Sequence, residues 1–418
     1  MLIIYDILLL IFALFYLPYA VFTGKFRRDF ILRLGFLPKN IKFKSPIWLH
    51  AVSVGEILSA RPLLERMRAV YPDKQIIIST ITSTGNKIAR GLAKDRDFVF
   101  YLPLDLSFLM RKIIKRINPC LCIIMETEIW PNLICGLNRQ GVPILVVNAR
   151  ISQRSYAKYR ATRFLFKPIL DKINTFCTQS PEDAQRLISL GAEKDKVRIT
   201  GNMKFDIQVQ NAEERIQKTD LGLLATDNLL VAGSTHPGEE DIILGVYAKI
   251  TKDFSGLKLL LAPRHPERAG QVAQLVRKNN FTPVFLSNPQ PPNPNPQSIF
   301  ILDTIGRLTL LYALADIVFV GGSLVKTGGH NVIEPAYFKK PIISGPYTHN
   351  FRDIIECFLK ENALVIVKNK QELEDNLRTL LKDKTRRLSL GEAAFKLIQV
   401  QKGAVDKNLA HIQSLLGQ

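Results

Sequence analysis

From Ile47 to its end the chain alternates short apolar runs with stretches of helical period. Runs that are apolar throughout suit strands buried on both faces, as in parallel sheets whose crossover helices cover them. The first set of candidate strands is Ile47–His50, Gln75–Ser79, Asp97–Leu102, Leu121–Met125, Pro143–Val147, Thr175–Cys177 and Val197–Ile199. Helical stretches such as Leu58–Val70 and Pro181–Leu190 lie between them; Ser180 can cap the second, Pro181 suits its first turn and Gly191 can end it. Residues 207–224 are polar, lack strand character and read as a linker. A second set follows: Leu229–Gly233, Lys258–Ala262, Pro283–Leu286, Ile299–Leu302, Ile317–Val320, Pro341–Ser344 and Leu364–Val367, with a Pro- and Asn-rich surface loop at Ser287–Gln297. The fold class is therefore α/β, with two Rossmann-like domains, 25–206 and 225–418, facing across a cleft. Ligands of such sheets bind outside the carboxyl ends of the strands, so chemistry is expected there.

Before the first strand, Leu2–Phe22 reads LIIYDILLLIFALFYLPYAVF. Roughly 20 apolar residues suffice to cross a bilayer as a helix. Asp6 near one end is placed to reach headgroups, and Tyr16 and Tyr19 suit an interfacial belt. Lys25, Arg27 and Arg28 follow, and no Lys or Arg precedes. Residues 1–24 are thus expected to be a single membrane anchor, with the rest of the chain on the cytoplasmic side. A helix lying in one leaflet is the alternative.

Lys plus Arg number 57 against 37 Asp plus Glu, a net charge of +20. That excess favours anionic partners: nucleic acid, anionic lipid or a phosphorylated substrate. The basic residues are dispersed and no recognition motif is present, which argues against nucleic acid. Cys120, Cys122, Cys135, Cys177 and Cys357 form no spaced framework, and Cys120 and Cys122 suit one face of a buried strand. No GxGxxG follows the first strand and no Walker A motif occurs. Asp95-Arg96-Asp97 precedes a strand instead of following one, so no metal and no cofactor are expected.

Five segments carry chemistry. In WLHAVSVGEILSARPLL (48–64), Glu56 opens a helix after a strand, as a helix-terminal charge or as a general base. In IIMETEIWPNLI (123–134), Glu126 and Glu128 follow a strand directly, as a site or as an exposed loop pair. In ITGNMKFD (199–206), Lys204 either neutralises a leaving phosphate or is solvated. In LLLAPRHPERAG (259–270), Arg264 is placed to grip an anion, with His265 beside it; AGSTHPGEED (232–241) is a similar turn with Ser234 and Thr235 as hydroxyl donors or caps. In VFVGGSLVKTGGHNVIEPAYFKKPIISGP (318–346), Gly321, Gly322 and Ser323, then Gly328 and Gly329, precede His330 and Asn331. Glycines let amides approach a phosphate, and Glu334 suits ribose hydroxyls; the plainer reading is an Asn-capped helix.

Together and in this order, HAVSVGE, METEIWPNLI, ITGNMKFD, APRHPERA and VGGSLVKTGGHNVIEPA resemble the 3-deoxy-D-manno-octulosonic acid (Kdo) transferases of lipid A biosynthesis. The resemblance covers essentially the whole chain. It implies a GT-B fold and a metal-independent, inverting transfer of Kdo from CMP-Kdo to a lipid A precursor. It makes Glu56 the base, and Glu126 and Lys204 transition-state stabilisers. Pro263, Arg264, Ile305, Gly306, Arg307, Asn331, Val332, Ile333 and Glu334 would hold the CMP moiety. The turn and loop residues themselves add Ser234, Gly321, Gly322, Ser323, Gly329 and His330 as candidate phosphate or cleft contacts. Arg307 stands where the family usually has an acid. Two other readings compete: a GT-B enzyme using a different sugar nucleotide, and a non-catalytic membrane-tethered protein that binds polyanions.

Overall fold

The computed structural model describes residues 2–22, 35, 37–38, 41–206, 217–287 and 297–417. It divides into two compact units, Met1–Ile207 with Gln401–Gln418, and Gln208–Val400. The sequence assigned all of 225–418 to the second domain; the last segment instead belongs to the first unit. Most of the 207–224 linker and of the Ser287–Gln297 loop lies outside the described residues, but 218–221 forms a short 3-10 turn.

Unit 1 is built on a parallel sheet of β1 (Ile47–His50), β2 (Ile76–Thr80), β3 (Phe98–Tyr101), β4 (Leu121–Met125), β5 (Ile144–Ala149), β6 (Thr175–Thr178) and β7 (Val197–Ile199). Their order is β3-β2-β1-β4-β5-β6-β7, so direction reverses between β1 and β4, where Ile47 is in register with Leu121. The central strands are buried on both faces because helices cover both. Trp48, Cys122 and Ile124 feed one core layer, and Ile47, Leu49, Leu121 and Ile123 the other. Cys120 packs against the second layer and not with Cys122, because it lies just before the strand. All five cysteines are free.

Unit 2 repeats the plan with β8 (Asn228–Thr235), β9 (Leu257–Pro263), β10 (Thr282–Phe285), β11 (Ser298–Ile301), β12 (Ile317–Val320), β13 (Ile342–Ser344) and β14 (Val365–Ile366). The order is β10-β11-β9-β8-β12-β13-β14, again parallel, with its reversal between β8 and β12. Tyr247, Phe319 and Leu259 are among the side chains of its core.

Helix starts follow capping chemistry. Ser180 accepts the Asp183 amide and Gly191 ends that helix at φ 114°. The helix expected from Leu58 begins a turn earlier, at Val54, because Ser53 caps it. At the other end, Asp206 accepts the Gly403 and Val405 amides at 2.7 and 2.6 Å, capping the last helix, Ala404–Leu415, which packs back on unit 1.

Leu2–Phe22 is a helix. Among the described residues no helix is long and apolar enough to cross a membrane. Asp6 does not reach for headgroups: it accepts from Asn132 Nδ2 at 2.7 Å and from the Ser107 amide at 3.2 Å. Leu9 packs on the first core layer, while Ile3, Ile4, Leu8, Phe12 and Phe15 are exposed. The side chains of Tyr16 and Tyr19, and Lys25, Arg27 and Arg28, lie outside the described residues.

Candidate functional site

The reversal between β1 and β4 is where a doubly wound sheet opens a crevice at its carboxyl edge. Glu56 lies just past β1, and Glu126 and Glu128 just past β4. Glu56 is only 6% exposed. Its carboxylate accepts from the Val52 amide at 2.7 Å and from Ser53 Oγ at 2.8 Å. Burial, joined by the charges of Glu126 and Glu128, outweighs those donors and raises its pKa to about 7. A carboxyl poised there can take a proton near neutrality. Burial and Glu126 likewise raise Glu128 to about 7.

Glu126 has a left-handed backbone, φ 54°, which is costly for a residue with a Cβ. The turn sends its side chain between two cations: Arg150 Nε stands 3.7 Å from Oε2 and Lys204 Nζ 3.6 Å from Oε1. Lys204 begins far away, beyond the edge strand β7. Its segment crosses the strand ends: the Gly201 amide donates to Thr178 O at the end of β6, and the Met203 amide to Asn148 Oδ1 on β5. Met203 and Phe205 are buried and Asp206 is fixed as a cap, so Lys204 is held toward Glu126. The loop after Glu126 is anchored too, because buried Asp105 accepts the Asn132 and Leu133 amides at the next helix start. Arg150, Asp105 and Asn148 escaped the sequence reading, since none lies in the motif it serves. His50 was also missed. It is fully buried, its Nδ1 lies 2.8 Å from Ser79 Oγ, and burial lowers it to about 4.

In unit 2 the reversal lies between β8 and β12, and both ends are tightly packed. Gly321 has no room for a side chain, since a Cβ there would stand 2.6 Å from Ser234 O. The first amides of the glycine-rich loop turn inward instead of toward a ligand. Gly322, Ser323 and Leu324 donate at 2.7, 2.9 and 2.8 Å to the carboxylate of Glu239, which also accepts from the His236 amide at 3.0 Å. Ser323 is fully buried, its hydroxyl donating to Val320 O and accepting from the Gly345 amide. The expected phosphate contacts at Gly322 and Ser323 are therefore replaced by an internal anion. Glu239, four residues past Thr235 in the same quoted turn, was the missed residue. The Thr235 hydroxyl is also used internally: it donates to Glu240, which pairs with Arg268.

Other expected residues remain available. Arg264 follows β9, its amide bound to Thr235 O and its side chain exposed. Its positive charge acts on both Glu334 and His330. Asn331 accepts the Ile333 amide and donates to Glu334 Oε1 at 3.2 Å, while Thr309 donates to Oε2. Burial raises Glu334 all the same. Pro263, Val332 and Ile333 are buried. Ile305, Gly306 and Arg307 are exposed, with Gly306 at φ 88°. Ser234 takes φ 55° and Gly329 φ 75°, whose amide donates to Gly322 O. Among the described residues, no group of three His, Cys, Asp or Glu side chains is placed to hold a metal ion.

Residues 28–207 match the family described as 3-deoxy-D-manno-octulosonic-acid transferase (kdotransferase), and residues 294–397 match glycosyl transferases group 1. The 3-deoxy-D-manno-octulosonic acid transferase of Haemophilus influenzae is 37% identical, over 93% of this chain and 92% of its own. The C-terminal CMP-Kdo binding domain of WaaA from Acinetobacter baumannii is 30% identical, covers 47% of this chain and 99% of its own, and aligns with a TM-score of 0.41. The UDP-GlcNAc 2-epimerase of Neisseria meningitidis shares 11% identity over 89% of this chain and all of its own, with a TM-score of 0.55, which is a likeness of fold. Identity across nearly the full length, joined to a switch point that gathers the carboxylates and the lysine, places the chain in one family: it belongs to the Kdo transferases, a family of glycosyltransferases.

Proposed function

We propose that this chain transfers Kdo from CMP-Kdo to a lipid A precursor, as an inverting transferase of lipopolysaccharide core biosynthesis. The observation that carries the reading is Glu56, a buried carboxyl raised to about 7 at the first switch point, beside Glu126 and its cations. An acceptor hydroxyl is a poor nucleophile and needs a positioned base. Glu56 takes its proton as the acceptor oxygen bonds to the anomeric carbon. The bond from that carbon to the phosphate breaks and its electron pair leaves with CMP. Lys204 and Arg150 supply fixed positive charge near Glu126, and Arg264 faces the nucleotide's phosphate. The reading includes the GT-B arrangement, with acceptor and donor domains facing each other.

The acceptor is a membrane lipid, and the exposed apolar residues of the first helix support attachment at the cytoplasmic face of the inner membrane. Their mixture of Ile, Leu and Phe suits lipid better than water. The test is incubation of the protein with CMP-Kdo and a lipid A precursor, followed by mass spectrometry of the lipid. Addition of Kdo is expected, and CMP but not UDP should compete. Unmodified lipid with intact donor present would overturn the reading.

A further inference from the structure

Two histidines meet at the switch point of the second sheet. His236 follows β8, and His330 ends the glycine-rich loop that follows β12. Their Nε2 atoms lie 2.8 Å apart, with the rings 8° from parallel and 5.1 Å between centroids. A contact that short between two ring nitrogens needs one N–H and one lone pair. One imidazole therefore donates through Nε2 and leaves its Nδ1 lone pair open to a proton. The placement is built into the chain: Gly322 has φ 67°, and a Cβ there would come within 2.8 Å of His330 Cδ2.

The charged groups around the pair are accounted for. His265, past β9, stands edge-on to His236 with centroids 6.2 Å apart, and the positive charge of Arg264 acts on His330. Arg268 is paired with Glu240, and Glu239 is saturated by four backbone amides. Neither carboxylate hydrogen-bonds an imidazole, although both act on His236 through space, and Glu267 Oε1 stands 3.4 Å from His265 Nδ1. Burial lowers both histidines: at His236 the charges of Glu239 and Glu240 oppose it while His265 and Arg268 add to it, and at His330, lowered to about 4, His236, Arg264 and His265 all add to it. Burial thus favours the neutral form of the pair, and an arriving anion opposes that effect.

We propose that the His236–His330 pair, with Arg264, seats the phosphate of the donor nucleotide and takes up a proton as the leaving nucleotide gains its second negative charge. The proposal rests on the donor reading given above. In the donor the phosphate is a diester with one negative charge. When its bond to the sugar breaks, the electron pair stays on the phosphate oxygen and a monoester dianion results. A proton from solvent enters at the open Nδ1, giving an imidazolium whose Nε2–H still donates to the neutral partner. The 2.8 Å contact survives the change.

Calorimetric titration of the full-length protein in detergent, in buffers of different ionisation heat, tests this. At about pH 8 free CMP is already a dianion, its second pKa lying near 6. CMP binding is expected to take up at least about half a proton, and cytidine binding none. His236→Gln and His330→Gln should each abolish the uptake and weaken CMP about tenfold while leaving cytidine affinity unchanged. CMP binding without proton uptake, or uptake that persists in both variants, overturns the proposal and leaves the donor reading standing. Equal weakening of CMP and cytidine marks the pair as structural and overturns it too. Failure of CMP to bind the unaltered protein overturns both.

Discussion

Lys204 Nζ lies 3.6 Å from Glu126 Oε1, although the two residues follow strands separated by β5 and β6 in the sheet. Both side chains are 20% exposed, which leaves their fields only partly screened. They act as a unit. Glu126→Gln and Lys204→Met should each lower kcat more than about tenfold, and the double variant should fall short of the product of the singles. Steady-state kinetics on all four proteins checks this; strict multiplicativity would separate the two roles.

Glu56 must be ionised to accept a proton, and burial holds it near 7. Activity should therefore fall as pH drops below about 7, with kcat/KM losing roughly tenfold per unit well into the acid limb. Since the charge of Glu128 raises Glu56, Glu128→Gln should move that limb to lower pH. Glu56→Gln should cost at least about 100-fold in kcat while CMP affinity is kept. A pH–rate profile of each variant reads both effects.

The Glu239 carboxylate satisfies four amides in the loop after β12 and the turn after β8. Glu239→Ala leaves those donors without their partner, with a cost of about 3 kcal/mol or more. Urea unfolding should show a lower midpoint. Because the loop also shapes the crevice at β12, CMP binding should weaken as well.

Two glycines should respond oppositely to alanine. At Gly321 a Cβ meets backbone at 2.6 Å, so Gly321→Ala should destabilise by about 1–3 kcal/mol. Gly270, in the helix Ala269–Lys278, has nothing within 4 Å of a Cβ, so Gly270→Ala should stabilise by about 0.4–1 kcal/mol. Thermal unfolding of both distinguishes a spatial requirement from a conformational one.

Every candidate strand of the sequence reading has its counterpart in the two sheets, with boundaries shifted by at most two residues. That follows from physics: strands buried on both faces cannot hide their apolar runs, and Gly, Pro and Ser mark the ends. The positions of Glu56, Glu126 and Lys204 were legible because each lies in the segment that follows a strand's carboxyl end. What escaped depends on pairing across long sequence separations. Glu239 reads as a helix-terminal acid until the fold brings Gly322 to it, and Asp6 reads as a charge in an apolar run until Asn132 meets it. Asp206 looks like part of a site motif, but its partners lie nearly two hundred residues later, in the last helix.

That cap gives the chain an order of assembly. Unit 2 is one uninterrupted stretch, while unit 1 is closed by residues on the far side of it. Domains form as the chain leaves the ribosome, N-terminal portions first. Here the sheet that carries Glu56 and Glu126 is synthesised first, yet the helix that secures the Lys204 segment through Asp206, and that ties Asn408 to Thr200, emerges after the other unit is complete. The carboxylates of the first unit and their lysine thus reach their final arrangement only after the helix Ala404–Leu415 has emerged.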